Sequence, residues 1–261
     1  MKKIISWNVA SIRARTSLFK TLIKNEKPDI VLLQEVKAQD HQFPFVEFES
    51  MGYHGYLSGQ KAYNGVAILS LTRMDVKRVA LDGFEDQARF IETALDEKTS
   101  VISVYAPNGQ PPMNFPEDTS RLDYKLRWFD ALVKYLSEQV AKGRSVILGG
   151  DFNVIYQDGD VYNAKLFEGS ALIVPEVRQK LKALTDIPMI NILREKTNES
   201  GVYTFWDFQG GAWPRNHGIL LDYFFVSNDL KSKVKSFDIL KDYRGMEKTS
   251  DHAPICCVLD I

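Results

Sequence analysis

The chain has 261 residues, 44% hydrophobic and 26% charged, which excludes a disordered or low-complexity protein and is enough for one large core. With 33 lysines and arginines against 34 acids, the net charge of −1 excludes a global electrostatic pull toward a polyanion. Any basic face must come from local placement.

The N-terminal MKKIISWN begins like a signal peptide, but its apolar run ends at Trp7 and Asn8 after two isoleucines. Lys3–Asn8 reads instead as a first strand. Leu18, Phe19, Leu22 and Ile23 fall at helical spacing, so the pattern predicts a helix over 16–25 with Thr16 or Ser17 as its cap. Lys27-Pro28-Asp29 ends it, and IVLLQE (30–35) is a second buried strand, giving a crossover unit within one sheet. Residues 38–64 read as an aromatic loop. A meander of strands follows at 65–70, 76–81, 90–95 and 101–105, then a proline-rich loop over 106–118 with Pro107, Pro111, Pro112 and Pro116. Leu122, Leu126, Phe129, Leu132, Val133, Leu136 and Val140 form an apolar stripe on a long helix, 120–142, closed by Gly143.

SVILGGDFN (145–153) is the stretch around which the rest is organised. A buried strand ends in two glycines that let backbone approach closely, then Asp151 and Asn153 appear. In extended chain, residues two apart point to one side. A polar loop over 156–170 leads to a helix starting at Pro175 and running to Leu184. Strands at 220–226, 234–240 and 253–259 complete the chain, the first with Asp222 inside it and the last preceded by Ser250-Asp251-His252. The only cysteines, Cys256 and Cys257, are adjacent in that last strand, where they read as buried thiols in a reducing, cytoplasmic compartment. No stretch approaches the ~20 apolar residues of a membrane helix. Two packed mixed sheets with helices outside would bury runs this apolar on both faces.

Asn8, Glu35, Tyr105, Asp151, Asn153, Asp251 and His252 all fall at or near strand ends, and strand ends collect polar residues for many reasons. Asp222 differs, because a lone carboxylate among Leu, Tyr and Phe needs a partner. A histidine supplies one, so Asp222 and His252 form a candidate dyad. Glu35, Asp151 and Asp251 would repel one another without a cation between them. Carboxylate and amide oxygens, with no cysteine or histidine at zinc spacing, favour Mg²⁺ or Mn²⁺. The other histidines, His41, His54 and His217, read as surface or loop residues. A hard dication beside a His–Asp pair and amide donors suits phosphoryl chemistry.

The set ISWNV with IRAR, LLQEVK, YAPNG, GGDFNV, YTFWD, LDYFFVS and SDHAPI resembles the exonuclease III family of abasic-site endonucleases, within the wider endonuclease/exonuclease/phosphatase superfamily. The motifs keep the family's order from Asn8 to Pro254. The resemblance implies a single domain over 1–261, a four-layered α/β sandwich of the DNase I-like kind with two facing mixed β-sheets flanked by helices. By position, Glu35 corresponds to the principal metal ligand, with Asn8 and Asp251 beside it and Asp151, Asn153 and His252 at the same centre. Asp151 corresponds to the residue that activates water or protonates the leaving oxygen, Asn153 to a transition-state donor, and His252 with Asp222 to the phosphate-contacting dyad. Tyr105 and Asn108 match phosphate-positioning residues, Arg13 and Lys37 match basic residues near the DNA backbone, and Phe205 with Trp206 matches the wall of a pocket for an extruded abasic sugar.

Two positions depart from the family pattern. Ala10 stands where Asn or Asp commonly helps the metal pocket, and Ile219 where some members place a tryptophan. The loop 210–217, with Trp213, Arg215 and His217, could compensate by touching DNA.

The expected activity is Mg²⁺-dependent incision on the 5′ side of abasic sites in double-stranded DNA, leaving a 3′-hydroxyl, with trimming of blocked 3′ ends. The expected protein is a cytoplasmic, nucleoid-associated monomer with no membrane partner. Alternatives are a superfamily phosphodiesterase acting on RNA, phospholipid or inositol phosphate, and a non-catalytic nucleic-acid-binding regulator on the same fold.

Overall fold

A computed structural model of the chain describes residues 1–111 and 113–261; Pro112, which the sequence reading put in the loop 106–118, lies outside them. In chain order the elements are β1 (Lys2–Asn8), α1 (Ile12–Glu26), β2 (Ile30–Gln34), α2 (Phe45–Ser50), β3 (His54–Ser58), β4 (Val66–Ser70), β5 (Asp75–Arg78), β6 (Phe90–Ala94) and β7 (Thr99–Tyr105). Then come α3 (Ser120–Ala141), β8 (Ser145–Asp151), α4 (Pro175–Asp186), β9 (Met189–Asn191), α5 (Ile192–Lys196), β10 (Asp222–Ser227), β11 (Val234–Ile239) and β12 (Ile255–Leu259).

The strands make two six-stranded mixed sheets, ordered β11-β12-β1-β2-β4-β3 and β5-β6-β7-β8-β10-β9. Each is built on one central parallel pair, β1 with β2 and β7 with β8, and every other pairing is antiparallel. Parallel neighbours need a crossover, and α1 and α3 supply the two.

Alternation along β1 explains the layers. Ile4 belongs to the core between the sheets, whereas Ile5 and Trp7 join the outer cluster under Leu18, Phe19 and Leu22 of α1. On the far side Trp128, Phe129, Leu132 and Leu136 of α3 and Val177, Leu181 and Leu184 of α4 cover the second sheet. Each fully buried Leu or Phe contributes roughly 1.5–3 kcal/mol. This is the expected four-layered sandwich. Among the described residues no helix is long and apolar enough to cross a membrane.

The reading went astray at edges and caps. Helix α1 starts at Ile12, four residues before the expected cap, because the N–H groups of Ser11 and Ile12 are taken by the carbonyls of Glu35 and Val36. Thr16 sits inside the helix and returns its hydroxyl to the Ile12 carbonyl. The aromatic loop 38–64 contains α2 and the edge strand β3, whose five residues are all half-buried and so lack clean alternation. His54 is therefore a strand residue rather than a loop one. β5 ends at Arg78 instead of 81, after a bulge between Val76 and Arg78. The three-residue β9 is too short to register as a pattern.

The two glycines of β8 are fixed by space. A Cβ on Gly149 would lie 2.6 Å from the Phe224 ring, and one on Gly150 would lie 2.0 Å from the Val104 carbonyl oxygen. The second contact is with backbone of the neighbouring β7, which cannot give way. Gly150→Ala should therefore lose about 3 kcal/mol or more of stability in urea unfolding. A midpoint within error of the parent would show that this close approach is not needed.

Candidate active site

The carboxyl ends of the two central parallel pairs meet at one edge of the sandwich, where ligands gather in open α/β sheets. Asn8 ends β1, Glu35 follows β2, Tyr105 ends β7 and Asp151 ends β8. Register brings in a third strand, because Asp151 pairs with Tyr105 on β7 and with Asp222 on β10. His252 arrives from the loop before β12, held by a backbone bridge to Phe205 and by the Trp7 indole, which donates to its carbonyl at 2.9 Å.

Asp222 and His252 are both buried, and Nδ1 of the imidazole donates to Oδ2 of Asp222 at 2.8 Å. The Thr204 hydroxyl receives the N–H of Leu221 and of Asp222, which fixes where this carboxylate enters the site. Nε2 of His252 faces Asp151 Oδ2 at 3.7 Å. Burial opposes charge on the imidazole, but the carboxylates of Asp222, Asp151 and Asp251 outweigh it and push His252 well up. Burial likewise pushes Asp151 up from the usual carboxylate range, against the pull of His252.

Asn8 joins the two carboxyl groups that come from different sheets. Its Nδ2 donates to Glu35 Oε1 at 3.0 Å and to Asp151 Oδ2 at 2.9 Å, while its Oδ1 accepts from the Ala10 N–H. Burial works against ionisation of Glu35, yet bonds from Lys37 and Asn8 hold it below the ordinary range. The Lys37 ammonium lies 2.8 Å from Glu35 Oε2. Asp251 is half-buried beside Ser250, whose hydroxyl donates to the Asn8 carbonyl at 2.6 Å.

Asp151 and Asn153 do not converge by strand alternation, as the sequence pattern implied. Asn153 has φ 51°, and its N–H turns back to Asp151 Oδ1 at 2.9 Å. A side-chain-closed turn aims both groups inward. The Asn153 amide donates to the Ala106 carbonyl and accepts from Asn108 Nδ2 at 3.3 Å. Tyr105 is kept protonated by burial and by the charges of Glu35 and Asp151, so its phenol is a donor. The Arg89 guanidinium stacks 4.8 Å from the Tyr105 ring centre and donates to the Tyr105 carbonyl. Beside them opens a cleft of about 830 Å³ lined by Arg89, Tyr105, Asn108, Arg121 and Tyr63.

One of the two expected wall residues is placed differently. Trp206 is fully buried between Tyr203 and Trp213, its indole N–H given to Asn216, so it backs the wall and cannot form its face. Phe205 is half-exposed with its ring 5.0 Å from His252, which leaves it to line the site. In the loop 210–217, Trp213 is packed on Trp206 and His217 stacks on Tyr162, and of the three named residues only Arg215 is exposed. Ile219 is buried against this loop's base, bridged to Phe205 and Val161. Arg13 is exposed near the start of α1.

Sequence reasoning missed Trp7, Thr204, Ser250, Arg89 and Lys125. Only Lys125 carried a signal: it falls between Leu122 and Phe129 on the apolar stripe of α3, and is fully buried.

Asp151, Asp222 and His252 form a buried group whose ligand atoms lie within 4.8 Å of one another and could hold a metal. A protonated imidazole repels a cation, however, which shifts the fit toward oxygen donors. Glu35, Asp151 and Asp251 supply these, and the set matches a hard dication; Asn8, expected beside them as a ligand, turns its Nδ2 to Glu35 and Asp151 and its Oδ1 to the Ala10 N–H, so it orients two of the carboxylates.

The family model described as the endonuclease/exonuclease/phosphatase family matches residues 5–252. The chain belongs to that family. It is similar to the exodeoxyribonuclease of Bacillus subtilis, 32% identical over 266 residues that cover 99% of this chain and 100% of the relative. Exodeoxyribonuclease III of Haemophilus influenzae is 29% identical, with 97% of this chain and 98% of that one covered. An AP endonuclease from Archaeoglobus fulgidus superposes with TM-score 0.92 at 31% identity, covering 100% of both chains. The 3′ phosphatase NExo from Neisseria, solved with a product DNA hairpin, does so with TM-score 0.93 at 31% identity, again over 100% of both.

Ser11, which opens the metal-side loop, has φ 96° and ψ 108°, outside the comfortable regions for any residue with a Cβ. Its N–H bond to Glu35 is backbone and survives substitution. Ser11→Gly should raise stability by about 1 kcal/mol. An unfolding midpoint lower than the parent's would count against strain at this position.

Proposed function

We propose that the protein is a Mg²⁺-dependent abasic-site endonuclease that cuts the phosphodiester on the 5′ side of the lesion in double-stranded DNA. Mn²⁺ is an alternative cofactor, and blocked 3′ ends are a second substrate. The observation that carries the reading is the Asn8 amide, which ties Glu35 of one sheet to Asp151 of the other beside the His252–Asp222 pair. The nuclease and AP endonuclease names of its relatives support the same choice.

Glu35 and Asp251 would hold the cation, with Asn8 orienting Glu35 and with Asp151 and Asn153 at its margin. When bound, it would neutralise phosphate charge and polarise a phosphate oxygen. The chain's own groups supply the rest. His252, charged because Asp222 and Asp151 face it, donates from Nε2 to a non-bridging oxygen. The Tyr105 phenol and the amides of Asn108 and Asn153 hold the same phosphate against the growing charge. Asp151, with its pKa raised toward neutrality, takes a proton from the attacking water or returns one to the departing 3′ oxygen. Water adds to phosphorus, the bond to O3′ breaks, and the products are a 3′-hydroxyl and a 5′ phosphate on the abasic sugar. A sugar without its base has little stacking to lose, so turning it toward Phe205 is cheap. Arg13, Lys37 and the cleft beside Arg89 and Arg121 would track the backbone. The protein acts as a monomer on nucleoid DNA in the cytoplasm.

A duplex carrying one stable abasic analogue tests this. Incision should occur with Mg²⁺, vanish with EDTA and fall about 10³-fold in Asp151→Ala. No cation-dependent nick on that duplex, with cleavage of RNA or a small phosphodiester instead, would reject it.

Ala10 offers the cation no oxygen from its side chain. Ala10→Asn should therefore lower the Mg²⁺ concentration for half-maximal incision by roughly threefold or more. An unchanged or higher requirement would show that the position does not reach the cation.

A further inference from the structure

The proposed reaction needs Asn108 and Asn153 to present their amides to one phosphate, yet the two residues sit on loops that leave different strands. Neither loop has regular structure at that point. What holds them is a side chain from the helix behind. The ammonium of Lys125, fully buried on α3, donates to the carbonyls of Asn153 at 2.6 Å, Ala171 at 2.7 Å and Asn108 at 3.1 Å.

We infer that Lys125 is a positioning residue, a three-way clip whose ammonium sets the spacing of the Asn108 and Asn153 amides at the attacked phosphate. The inference rests on the reading of those amides as phosphate donors.

Three observations carry it. The stoichiometry matches, since an ammonium has three N–H groups and three carbonyls receive them. Burial favours the neutral amine and draws Lys125 down to about 7. A neutral amine has only two N–H groups, so the form that serves all three carbonyls is the charged one. The second observation is the cost: a cation on an apolar stripe, in place of a leucine, loses its hydration and adds nothing to the core that a hydrocarbon would not. A device that expensive is retained here where a single side chain reaches three segments at once, the loops after β7 and β8 and the stretch before α4. The third is the fit of Gly109, which has φ 83° and lies on the Lys125 stem, where a Cβ would fall 2.8 Å from Cδ. The turn after Asn108 is thus shaped to the lysine itself.

The carbonyl contacts translate into side-chain placement. Asn153 is pinned at its own carbonyl by Lys125, at its N–H by Asp151 and at its amide by Ala106 and Asn108. Release of the first removes the one tether on the carbonyl side of a left-handed residue, and an error of about 1 Å at a reacting group costs on the order of 100-fold in rate.

The test uses the full-length protein with Lys125→Met, which keeps the stem and removes the donors, and Lys125→Arg, which keeps charge and donors. Hydrogen exchange followed by mass spectrometry reads the clip without any substrate. In Lys125→Met, amides of 108–110, 153–156 and 171–174 should exchange roughly tenfold faster or more, while 145–148 of β8 keep parental protection. Equal loosening of β8, or no change in the three loops, overturns the inference.

With enzyme in excess over abasic duplex, single-turnover incision by Lys125→Met should fall about 100-fold, with duplex Kd within roughly threefold. In an Asn153→Ala background the same change should cost less than about threefold, because the group it positions is gone. A full 100-fold loss in both backgrounds would mark a merely structural lysine and overturn the inference. Lys125→Arg should keep parental exchange in the three loops. If Lys125→Met does not fold, loosened loops in Lys125→Arg overturn the clip and protected loops uphold it. A parent protein that leaves abasic duplex intact rejects the proposed function, while the exchange result still decides the role of Lys125.

Discussion

The structure is governed by electrostatic crowding at one sheet edge. Glu35, Asp151, Asp222 and Asp251 come from four separate segments and meet where little water reaches. Two like charges 4 Å apart at an effective dielectric of 20 repel by about 4 kcal/mol, so Asp222, Asp151 and Glu35 each stand beside a counterweight. His252 lies between Asp222 and Asp151. The Asn8 amide lies between Asp151 and Glu35, and Lys37 closes the outer side of Glu35. The sequence of partners sets carboxylates against donors from one sheet to the other, and it accounts for the raised His252 and the lowered Glu35, while burial raises Asp151 against it.

A second constraint keeps that chain rigid. Glu35, Lys37 and Asn153 all have positive φ, as do Ala10 and Ser11 facing them. Non-glycine residues hold such conformations only where surrounding structure over-determines them. Here the strands do so: every residue of β2 and β8 is buried up to the point where the backbone turns. At this edge the strain falls on the first residues beyond the core, beside the candidate site residues. The same division explains the buried Ser6, Gln34 and Ser103 just behind them. Gln34 donates to both hydroxyls and so fastens the two sheets together one layer below the site.

Much of this was legible because it depends on short-range pattern. Apolar runs ending in a polar side chain mark β1, β2, β7 and β8, the third by the Tyr105 phenol, and the lone Asp222 amid apolar neighbours points to a histidine. The pairing with His252 has the 2.8 Å geometry that argument required. What stayed hidden depends on distant partners. The start of α1 is set by carbonyls of Glu35 and Val36, which no local cap rule sees. Trp206 looked like a wall residue by motif, but loop 206–216 folds over it and Trp213 seals it in. The turn at Asn153 broke the alternation used to place it. Lys125 is visible in the sequence only as a charged residue within an apolar helical stripe.

The rim above this edge is of a different material from its floor. The loop after Asn108 carries Met113 and Phe115 fully or largely in solvent, and the loop holding Phe208 is steadied by the Arg244 guanidinium stacked on Phe208 and Trp213. Neither loop contributes to the sheets. Exchange of either segment between relatives would therefore leave the strands, and the carboxylates and amides at their ends, where they stand.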